Sequence, residues 1–246
     1  MDPTGWEHKA SPCQMTALYA IAHYMQGVFC TKEVTKDLGR GPESVAGRLR
    51  ELLPGSRIIC LEQIHSDRII RAEDVAPGVF PEADGVISHE PSFVLCVRTA
   101  DCVPILMWAD DSPVIAAVHA GWRGLAKRIV TKAVHLMLAS GAQQIHVSMG
   151  PSIGPCCYAV GREVIEALNA DTERTMDGRP SVDLRRIAAL QAENTGVSPV
   201  MIHHVECCTY CTGDTFFSYR REGEHAGRNI SLIGGASCSL PGLQAR

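Results

Sequence analysis

Three short segments of the chain carry residues that can hold a soft metal ion. The segments are residues 63–66, 98–104 and 118–124, and their candidate ligands are His65, Cys102 and His119. Each candidate lies where a hydrophobic, β-branched stretch ends, and loops at strand ends are where protein scaffolds present reactive groups. Two imidazoles and one thiolate suit Zn²⁺, and three protein ligands leave a fourth coordination position for water or substrate. We therefore predict a catalytic zinc site.

The pattern alone leaves other interpretations open. A histidine at the end of an apolar strand is more often a hydrogen-bonded structural residue than a metal ligand. The three residues are also too far apart in sequence to form a local metal signature such as paired CxxC motifs. Alternatively, Cys102 is a nucleophile and His119 its base, an arrangement that leaves His65 without a clear role.

The candidate ligands are separated by segments with clear secondary-structure preferences. Strands are predicted from β-branched content at residues 57–64, 92–99, 103–108, 113–119, 145–149, 201–205 and 229–233. Helices are predicted at residues 125–138, 163–168 and 184–193, the last capped by Asp183. Several strands are apolar at nearly every position, as expected where both faces are covered. The expected fold is a layered α/β domain with mixed β-sheets covered by helices.

Composition limits the class of protein. The chain has 246 residues, of which 46% are hydrophobic and 20% charged, with a net charge of -4. This balance gives no reason to expect nucleic acid or a membrane surface as partner. We expect residues 16–246 to form a single catalytic domain and residues 1–15 to be a disordered tail. No secretion signal is evident, so a cytoplasmic location is expected.

The cysteine content is high, at eleven residues. In a chain of odd cysteine count without a secretion signal, thiols and metal ligands are favoured over a disulfide framework. Besides Cys102, two groups stand out, namely Cys156-Cys157 and the segment Cys207-Cys208-Thr209-Tyr210-Cys211. Together they could supply four sulfurs for a structural zinc. Because the chain lacks a second CxxC with suitable spacing, buried or pocket-lining thiols are the preferred interpretation.

Five motifs, in order, resemble the YfiH family, also called the laccase-domain or polyphenol oxidase family, which includes purine nucleoside phosphorylases. The motifs are Gln-Ile-His, Arg-Thr-Ala-Asp-Cys-Val-Pro-Ile, Val-His-Ala-Gly-Trp-Arg-Gly, Gly-Pro-Ser-Ile-Gly-Pro-Cys-Cys-Tyr and Phe-Phe-Ser-Tyr-Arg-Arg-Glu-Gly with the later Gly-Arg. The resemblance extends over roughly residues 20–235.

This resemblance implies a compact α/β fold and a zinc ion held by the Gln-x-His histidine, the Asp-Cys cysteine and the histidine of His-Ala-Gly-Trp-Arg-Gly. In this sequence those residues are His65, Cys102 and His119. It also implies phosphorolysis of adenosine, inosine and methylthioadenosine, and deamination of adenosine. The expected partners are a purine nucleoside and phosphate. We expect a monomer or a weak homodimer.

Phosphorolysis needs cationic side chains for phosphate, and a guanidinium matches that geometry. Arg48 aligns with an arginine usual in the family and is the first candidate for this contact. Arg123 and Arg228 are further candidates, with a surface salt bridge as the alternative role of each. Asp101 is predicted either to orient a ligand histidine and contact substrate or to cap a turn.

The sequence departs from the usual family pattern near its amino terminus and after the first histidine. Relatives commonly have Gly-Gly-x-Ser, an Asn before the arginine matched to Arg48, and Gly after the motif histidine. This chain has Cys30-Thr31-Lys32-Glu33, Gly47 and Ser66 at those places.

The sequence also allows three other functions. The family name suggests a copper-dependent polyphenol oxidase (laccase), but the chain lacks the paired His-x-His motifs of multicopper enzymes, although copper can occupy one soft site in vitro. A second alternative is a cysteine hydrolase or amidase acting on a cell-wall precursor. The third, a non-catalytic metal-binding or partner-binding protein, fits poorly with polar groups clustered at strand ends.

Overall fold

Two β-sheets stacked face to face form the centre of the molecule. The structure is a computed structural model that describes residues 17–22 and 25–235. The strands of these residues are β1 (Ala17–Ala22), β2 (Met25–Cys30), β3 (Arg57–Cys60), β4 (Ile69–Arg71), β5 (Gly85–Ser88), β6 (Phe93–Thr99), β7 (Val103–Ala109), β8 (Ile115–Ala120), β9 (Ile145–Met149), β10 (Glu173–Arg174), β11 (Pro180–Ser181), β12 (Ile202–His204) and β13 (Asn229–Gly235). The helices are α1 (Lys32–Thr35), α2 (Pro42–Leu52), α3 (Trp122–Ala126), α4 (Ile129–Ala139), α5 (Arg162–Leu168), α6 (Leu184–Glu193) and α7 (Tyr219–Glu222).

Both large sheets mix parallel and antiparallel pairs. The first has the strand order β1-β2-β13-β6-β3, in which β3 and β6 are parallel. The second has the order β12-β9-β7-β8-β5-β4, with parallel pairs at its two edges. Strands β10 and β11 form a separate small ladder. The predicted α/β class with mixed sheets and helices is confirmed.

Successive side chains of a strand point to opposite faces of its sheet, so the core consists of separate layers. On β7, Ile105 and Met107 pack with helices α4 and α6, whereas Leu106 and Trp108 pack against the other sheet. Helix α2 covers the outer face of the first sheet. Every residue of β7 is buried, because strands between two other layers have both faces covered. This explains why the central strands are apolar at nearly every position.

The structure corrects one predicted helix. Residues 125–138 do not form a continuous helix, because Arg128 adopts a left-handed backbone with φ of 59° and separates α3 from α4. The side-chain amide of Gln191 donates to the Leu125 carbonyl at 2.7 Å, which supplies a partner for one carbonyl near the break. The prediction of one helix was therefore wrong, and a tertiary contact accompanies the interruption.

Other predicted elements are confirmed to within a few residues. Strand β9 and helix α6 have the predicted bounds, and Asp183 caps α6 by accepting from the backbone N–H groups of Arg185 and Arg186. Strand β3 is shorter than predicted and ends at Cys60. The predicted tail at residues 1–15 lies outside the described residues, and the single-domain assignment stays a prediction.

The two sheets are connected directly at the end of β6. This strand belongs to the first sheet and β7 to the second, and residues 100–102 join them. Cys102 therefore lies at the junction of the sheets. Within the described ranges, no helix has the length and apolar character needed to cross a membrane.

Candidate metal centre

The fold brings His65, Cys102 and His119 together. One possible ligand atom from each lies within 4.8 Å of those of the other two. His65 is in the loop after β3, Cys102 is in the turn from β6 to β7, and His119 is on β8 opposite Pro104. His119 is buried, Cys102 is partly buried and His65 is exposed. The cluster is consequently anchored in the protein on one side and accessible from solvent on the other.

Unusual backbone conformations occur in the loops that carry His65 and Cys102. His65 and Asp101 have φ values of 57° and 92°, in the left-handed region that non-glycine residues rarely adopt. Such residues typically cost about 1–3 kcal/mol each and persist where the surroundings hold them. Gln63 supplies one such restraint, because its side-chain amide donates to the Arg98 carbonyl at 2.8 Å and accepts from the Arg98 N–H at 2.9 Å. The Gln-x-His motif therefore ties the His65 loop to the end of β6.

A buried carboxylate that the sequence did not nominate organises the cluster. Asp84 has no exposed surface, and its Oδ1 accepts from His119 Nδ1 at 2.8 Å and from the His65 backbone N–H at 3.0 Å. Its Oδ2 accepts from the Ser66 N–H at 2.5 Å and the Ser66 hydroxyl at 2.7 Å. Burial alone would raise the pKa of Asp84, but the bonds from His119 and Ser66 lower it overall. Asp84 therefore remains ionised and fixes the orientation of both ligand-bearing segments.

Cys102 and His119 each shift the pKa of the other. Burial would raise the pKa of the Cys102 thiol, but the adjacent His119 and His65 imidazoles lower it to about 6. Burial would lower the pKa of His119, but the Cys102 thiolate and Asp84 raise it to about 9. A thiolate is the form of cysteine that binds metal. The surroundings thus favour the charged sulfur that a metal ion needs.

The donor set fits a soft divalent metal. Because Nδ1 of His119 is engaged by Asp84, Nε2 remains as its metal donor, in the carboxylate–histidine arrangement usual at metal sites. Donors that share one zinc ion lie about 3.5 Å apart, so small side-chain movements bring the three atoms to suitable distances. Imidazole and thiolate ligands suit zinc and also copper. The donor types therefore do not by themselves decide which metal binds.

The space beside Cys102 favours glycine at position 121. A Cβ atom built on Gly121 would lie 3.0 Å from Cys102 Sγ and 3.3 Å from His65 Cδ2. The first distance is at the limit of real Cβ contacts, so the sulfur or the ring would have to move. The His-Ala-Gly motif thus keeps room for the sulfur in addition to supplying His119.

Replacing Gly121 with alanine is expected to lower metal affinity and to reduce turnover by at least about 10-fold, because displacements below 1 Å are costly at reacting centres. Metal titration and steady-state kinetics check this. Gly47→Ala is the matched control, because a Cβ atom there meets nothing within 4 Å. Gly47 lies inside α2, so this variant should keep its metal and gain about 0.5–1 kcal/mol in stability. Equal metal loss in both variants would contradict the explanation.

Comparison with known proteins places the chain in a family. The sequence profile of the multi-copper polyphenol oxidoreductase laccase family matches residues 26–236, which is most of the chain. The chain belongs to the multi-copper polyphenol oxidoreductase laccase family. The predicted resemblance to the YfiH or laccase-domain family is confirmed.

Relatives of this laccase-domain protein carry names that refer to nucleoside chemistry. The purine nucleoside phosphorylase YlmD of Geobacillus stearothermophilus is 35% identical over 209 residues, covering 76% of each chain. The purine nucleoside phosphorylase Rv2149c of Mycobacterium tuberculosis is 34% identical over 216 residues, covering 83% of this chain and 85% of that protein. The crystal structure of Geobacillus YlmD superposes with a TM-score of 0.79 at 28% identity, covering 95% of this chain and 99% of that one.

Three of the remaining predicted site residues contact groups other than the three candidate donors. The oxygens of Asp101 accept from the Thr209 hydroxyl at 2.6 Å and the Arg220 N–H at 2.7 Å, so Asp84 and not Asp101 contacts the ligand histidine. Arg48 lies on the exposed side of α2 and pairs with Glu51. Arg123 is exposed and stacks over Trp122, with its guanidinium carbon 4.5 Å from the ring centroid.

Arg228 interacts electrostatically with Cys102. It is half-buried, and burial together with Arg98 and Arg40 lowers its pKa, whereas the negative charge of Cys102 acts in the opposite direction. Arg228 also lines a pocket of about 640 Å³ with other cationic side chains. This pocket and the metal-ligand cluster are therefore electrostatically connected through Arg228.

Tyr158 is a second residue that sequence reasoning missed, and its pKa responds to the charge of Cys102. Burial raises its pKa, and the nearby Cys102 charge raises it further, to about 12. Its hydroxyl is thus protonated at neutral pH and can donate a hydrogen bond. The sequence feature that indicates Tyr158 is its position directly after the two cysteines of the motif Gly-Pro-Cys-Cys-Tyr.

Proposed function

We propose that this protein is a zinc-dependent purine nucleoside phosphorylase that cleaves adenosine, inosine and methylthioadenosine with phosphate and also deaminates adenosine. The cluster of His65, Cys102 and His119 carries the proposal, because it is open to solvent and its orientation is fixed by Asp84. The names of relatives that are 34–35% identical support the substrate class. We expect the protein to act in the cytoplasm as a monomer or weak homodimer.

The zinc ion, Asp84 and Tyr158 each have a different role in this proposal. A zinc ion held by the three ligands would supply Lewis-acid polarisation of substrate or water. Asp84 holds the proton on His119 Nδ1 and keeps Nε2 directed towards the cluster. Tyr158 offers a neutral hydroxyl as donor to the departing purine, whose nitrogen must gain a proton when the glycosidic bond breaks.

Phosphate is proposed to bind beside Arg228. The pocket there is lined by the cations Lys32, Lys36, Arg40 and Arg228 and by two acidic residues, Glu33 and Asp214. Cations therefore predominate, as an anion requires. The family resemblance favours Arg48 for this contact, but its exposed pair with Glu51 offers no enclosed surface for phosphate.

Substitution of Arg228 is expected to act on phosphate. Arg228→Ala should raise KM for phosphate by about 10- to 100-fold, the value of one or two charge-assisted hydrogen bonds, while KM for the nucleoside changes little. Arg48→Ala should alter either constant less than about twofold, as expected for an exposed pair. Initial rates over a phosphate series measure both constants. A larger effect from Arg48→Ala would move the phosphate site to α2.

A cysteine hydrolase remains the second candidate because one observation favours it. The Cys102 thiolate, the His119 imidazole and the Asp84 carboxylate form a chain in which each group contacts the next, which is the arrangement of a Cys-His-Asp nucleophile system. Activity of that kind survives chelation and is lost on alkylation of Cys102. The metal-dependent proposal predicts loss on chelation and recovery on adding zinc back.

Laccase chemistry fits the site less well. Multicopper oxidases bind several copper ions through many histidines. In the described ranges, groups of three or more potential ligands occur in two places, and only one of the two contains histidine. One soft site does not supply the set of centres that such electron transfer requires.

Incubation of the zinc-loaded protein with adenosine tests the proposal. Adenine that forms only when phosphate is present indicates phosphorolysis, and inosine that forms without phosphate indicates deamination. Chromatography separates the products. Absence of both products, with zinc confirmed in the protein, would contradict the proposal and favour the hydrolase.

A further inference from the structure

A second cluster of potential metal ligands lies outside the site described above. It consists of the sulfurs of Cys156, Cys157, Cys208 and Cys211, all within 4.8 Å of one another. The Sγ of Cys211 is 3.8 Å from that of Cys156 and 3.4 Å from that of Cys157. Four sulfurs that share one tetrahedral zinc ion at a Zn–S distance of about 2.3 Å lie about 3.8 Å apart. We propose that these four cysteines bind a structural zinc ion as a closed tetrathiolate site.

The sheet topology explains why four cysteines from two distant segments meet. Strands β9 and β12 are parallel neighbours, so the chain leaves both at the same edge of the sheet. The ladder continues past the strands, since the Val205 N–H donates to the Met149 carbonyl and an isolated bridge joins Ser152 to Cys208. The turn that carries Cys156 and Cys157 is thereby held beside the turn that carries Cys208 and Cys211.

Local contacts stabilise a thiolate and the conformation of both cysteine-bearing turns. The Gly154 N–H donates to Cys208 Sγ at 3.2 Å, which stabilises a thiolate there. Gly154 also permits the close approach, because a Cβ atom there would lie 3.2 Å from Cys156 Sγ and 3.4 Å from Cys208 Cβ. The guanidinium of Arg221 donates to the Thr209 and Tyr210 carbonyls at 2.7 Å each. These two hydrogen bonds restrain the turn between the two ligands of the CxxC.

The number and kind of donors separate this site from the first. Closed sites with four cysteine ligands are structural, whereas catalytic zinc sites keep an open position. The adjacent pair Cys156-Cys157 takes the place of the second CxxC that the usual pattern would need. This is why sequence spacing alone disfavoured a zinc site here.

The proposed zinc would stabilise the segment that carries Asp101 and Cys102. Thr209 lies between the two ligands of the CxxC, and its hydroxyl donates to Asp101 Oδ1 at 2.6 Å. The Ile153 N–H donates to the Asp101 carbonyl at 2.9 Å. Asp101 precedes Cys102 directly, so both cysteine-bearing turns contact the segment that presents a ligand of the first cluster.

Zinc content measured by mass spectrometry of the protein purified under reducing conditions tests the proposal. We expect two zinc ions per chain, one for each cluster. His65→Ala/Cys102→Ala and Cys208→Ser/Cys211→Ser should each retain one. Cys30→Ala is the matched control, because Cys30 is a buried free thiol outside both clusters and its loss should leave both ions.

X-ray absorption at the zinc edge provides a readout that needs no cysteine substitution in the second cluster. In His65→Ala/Cys102→Ala, the remaining ion should show four sulfur neighbours at about 2.3 Å and no nitrogen. This result is independent of nucleoside turnover, so it stands or falls separately from the proposed activity. Absence of zinc from the His65→Ala/Cys102→Ala protein, nitrogen or oxygen ligands around its remaining ion, or disulfides among the four cysteines would overturn the proposal.

Discussion

Replacing Cys102 with alanine is expected to remove the catalytic metal and nucleoside turnover together. Cys102 provides the sulfur donor of the cluster, and its thiolate is the group whose charge the two imidazoles stabilise. Loss of a partner in the outer shell of a metal site costs about 10- to 100-fold in metal affinity or activity, and loss of a direct ligand should cost more. Metal titration and the rate of adenine release measure the two effects.

The control for this variant is a buried cysteine outside the site. Cys96→Ala removes a buried thiol from the core of the first sheet, between that sheet and α2. It should lower the free energy of unfolding without changing metal affinity. A Cys102→Ala protein that keeps its metal at that cluster, or keeps nucleoside turnover, would contradict the assignment of Cys102 as a ligand.

Replacing Asp84 with asparagine is expected to weaken both the metal site and the fold. The carboxylate accepts four hydrogen bonds, from two backbone N–H groups, the Ser66 hydroxyl and His119 Nδ1. Asparagine has an NH₂ group in place of one carboxylate oxygen. The two donors that face this NH₂ group would then be buried without an acceptor. Metal affinity should fall by about 10- to 100-fold, and the free energy of unfolding by about 1–3 kcal/mol.

Asp110→Asn is the matched control, because Asp110 also accepts from a histidine, with its Oδ2 2.8 Å from His146 Nε2, but is exposed and away from both cysteine clusters. It should leave metal affinity unchanged and cost less than about 1 kcal/mol. Chemical denaturation and metal titration of both variants compare them directly. Similar metal affinities for Asp84→Asn and Asp110→Asn would show that Asp84 does not position the ligand.

Sequence reasoning could nominate the three candidate ligands because each lies at or shortly after the end of an apolar strand. His65, Cys102 and His119 come from three such positions, and strand pairing within the sheets together with the stacking of the sheets brings them close to one another. Asp84 gave no comparable signal. It precedes β5 within Ala-Asp-Gly, a combination typical of a turn, and only the tertiary structure shows it buried against β8.

The second cysteine cluster shows a related limit of sequence spacing. Cys156-Cys157 and the CxxC after β12 are adjacent only because β9 and β12 pair in parallel. Such a long-range pairing is not visible in local periodicity. The helix break at Arg128 also involves a contact between distant elements, since Gln191 of α6 supplies the side chain that contacts the Leu125 carbonyl. Elements that depend on local pattern were predictable, and contacts between distant elements were not.

Metal reconstitution tests the central claim most directly. The protein is stripped of metal, divided, and assayed with adenosine and phosphate before and after zinc is added, with copper added to a third portion. We predict no release of adenine from the metal-free protein and recovery of adenine and ribose 1-phosphate on adding zinc. Undiminished turnover by the metal-free protein, or none after zinc has been bound again at the cluster of His65, Cys102 and His119, would contradict the account.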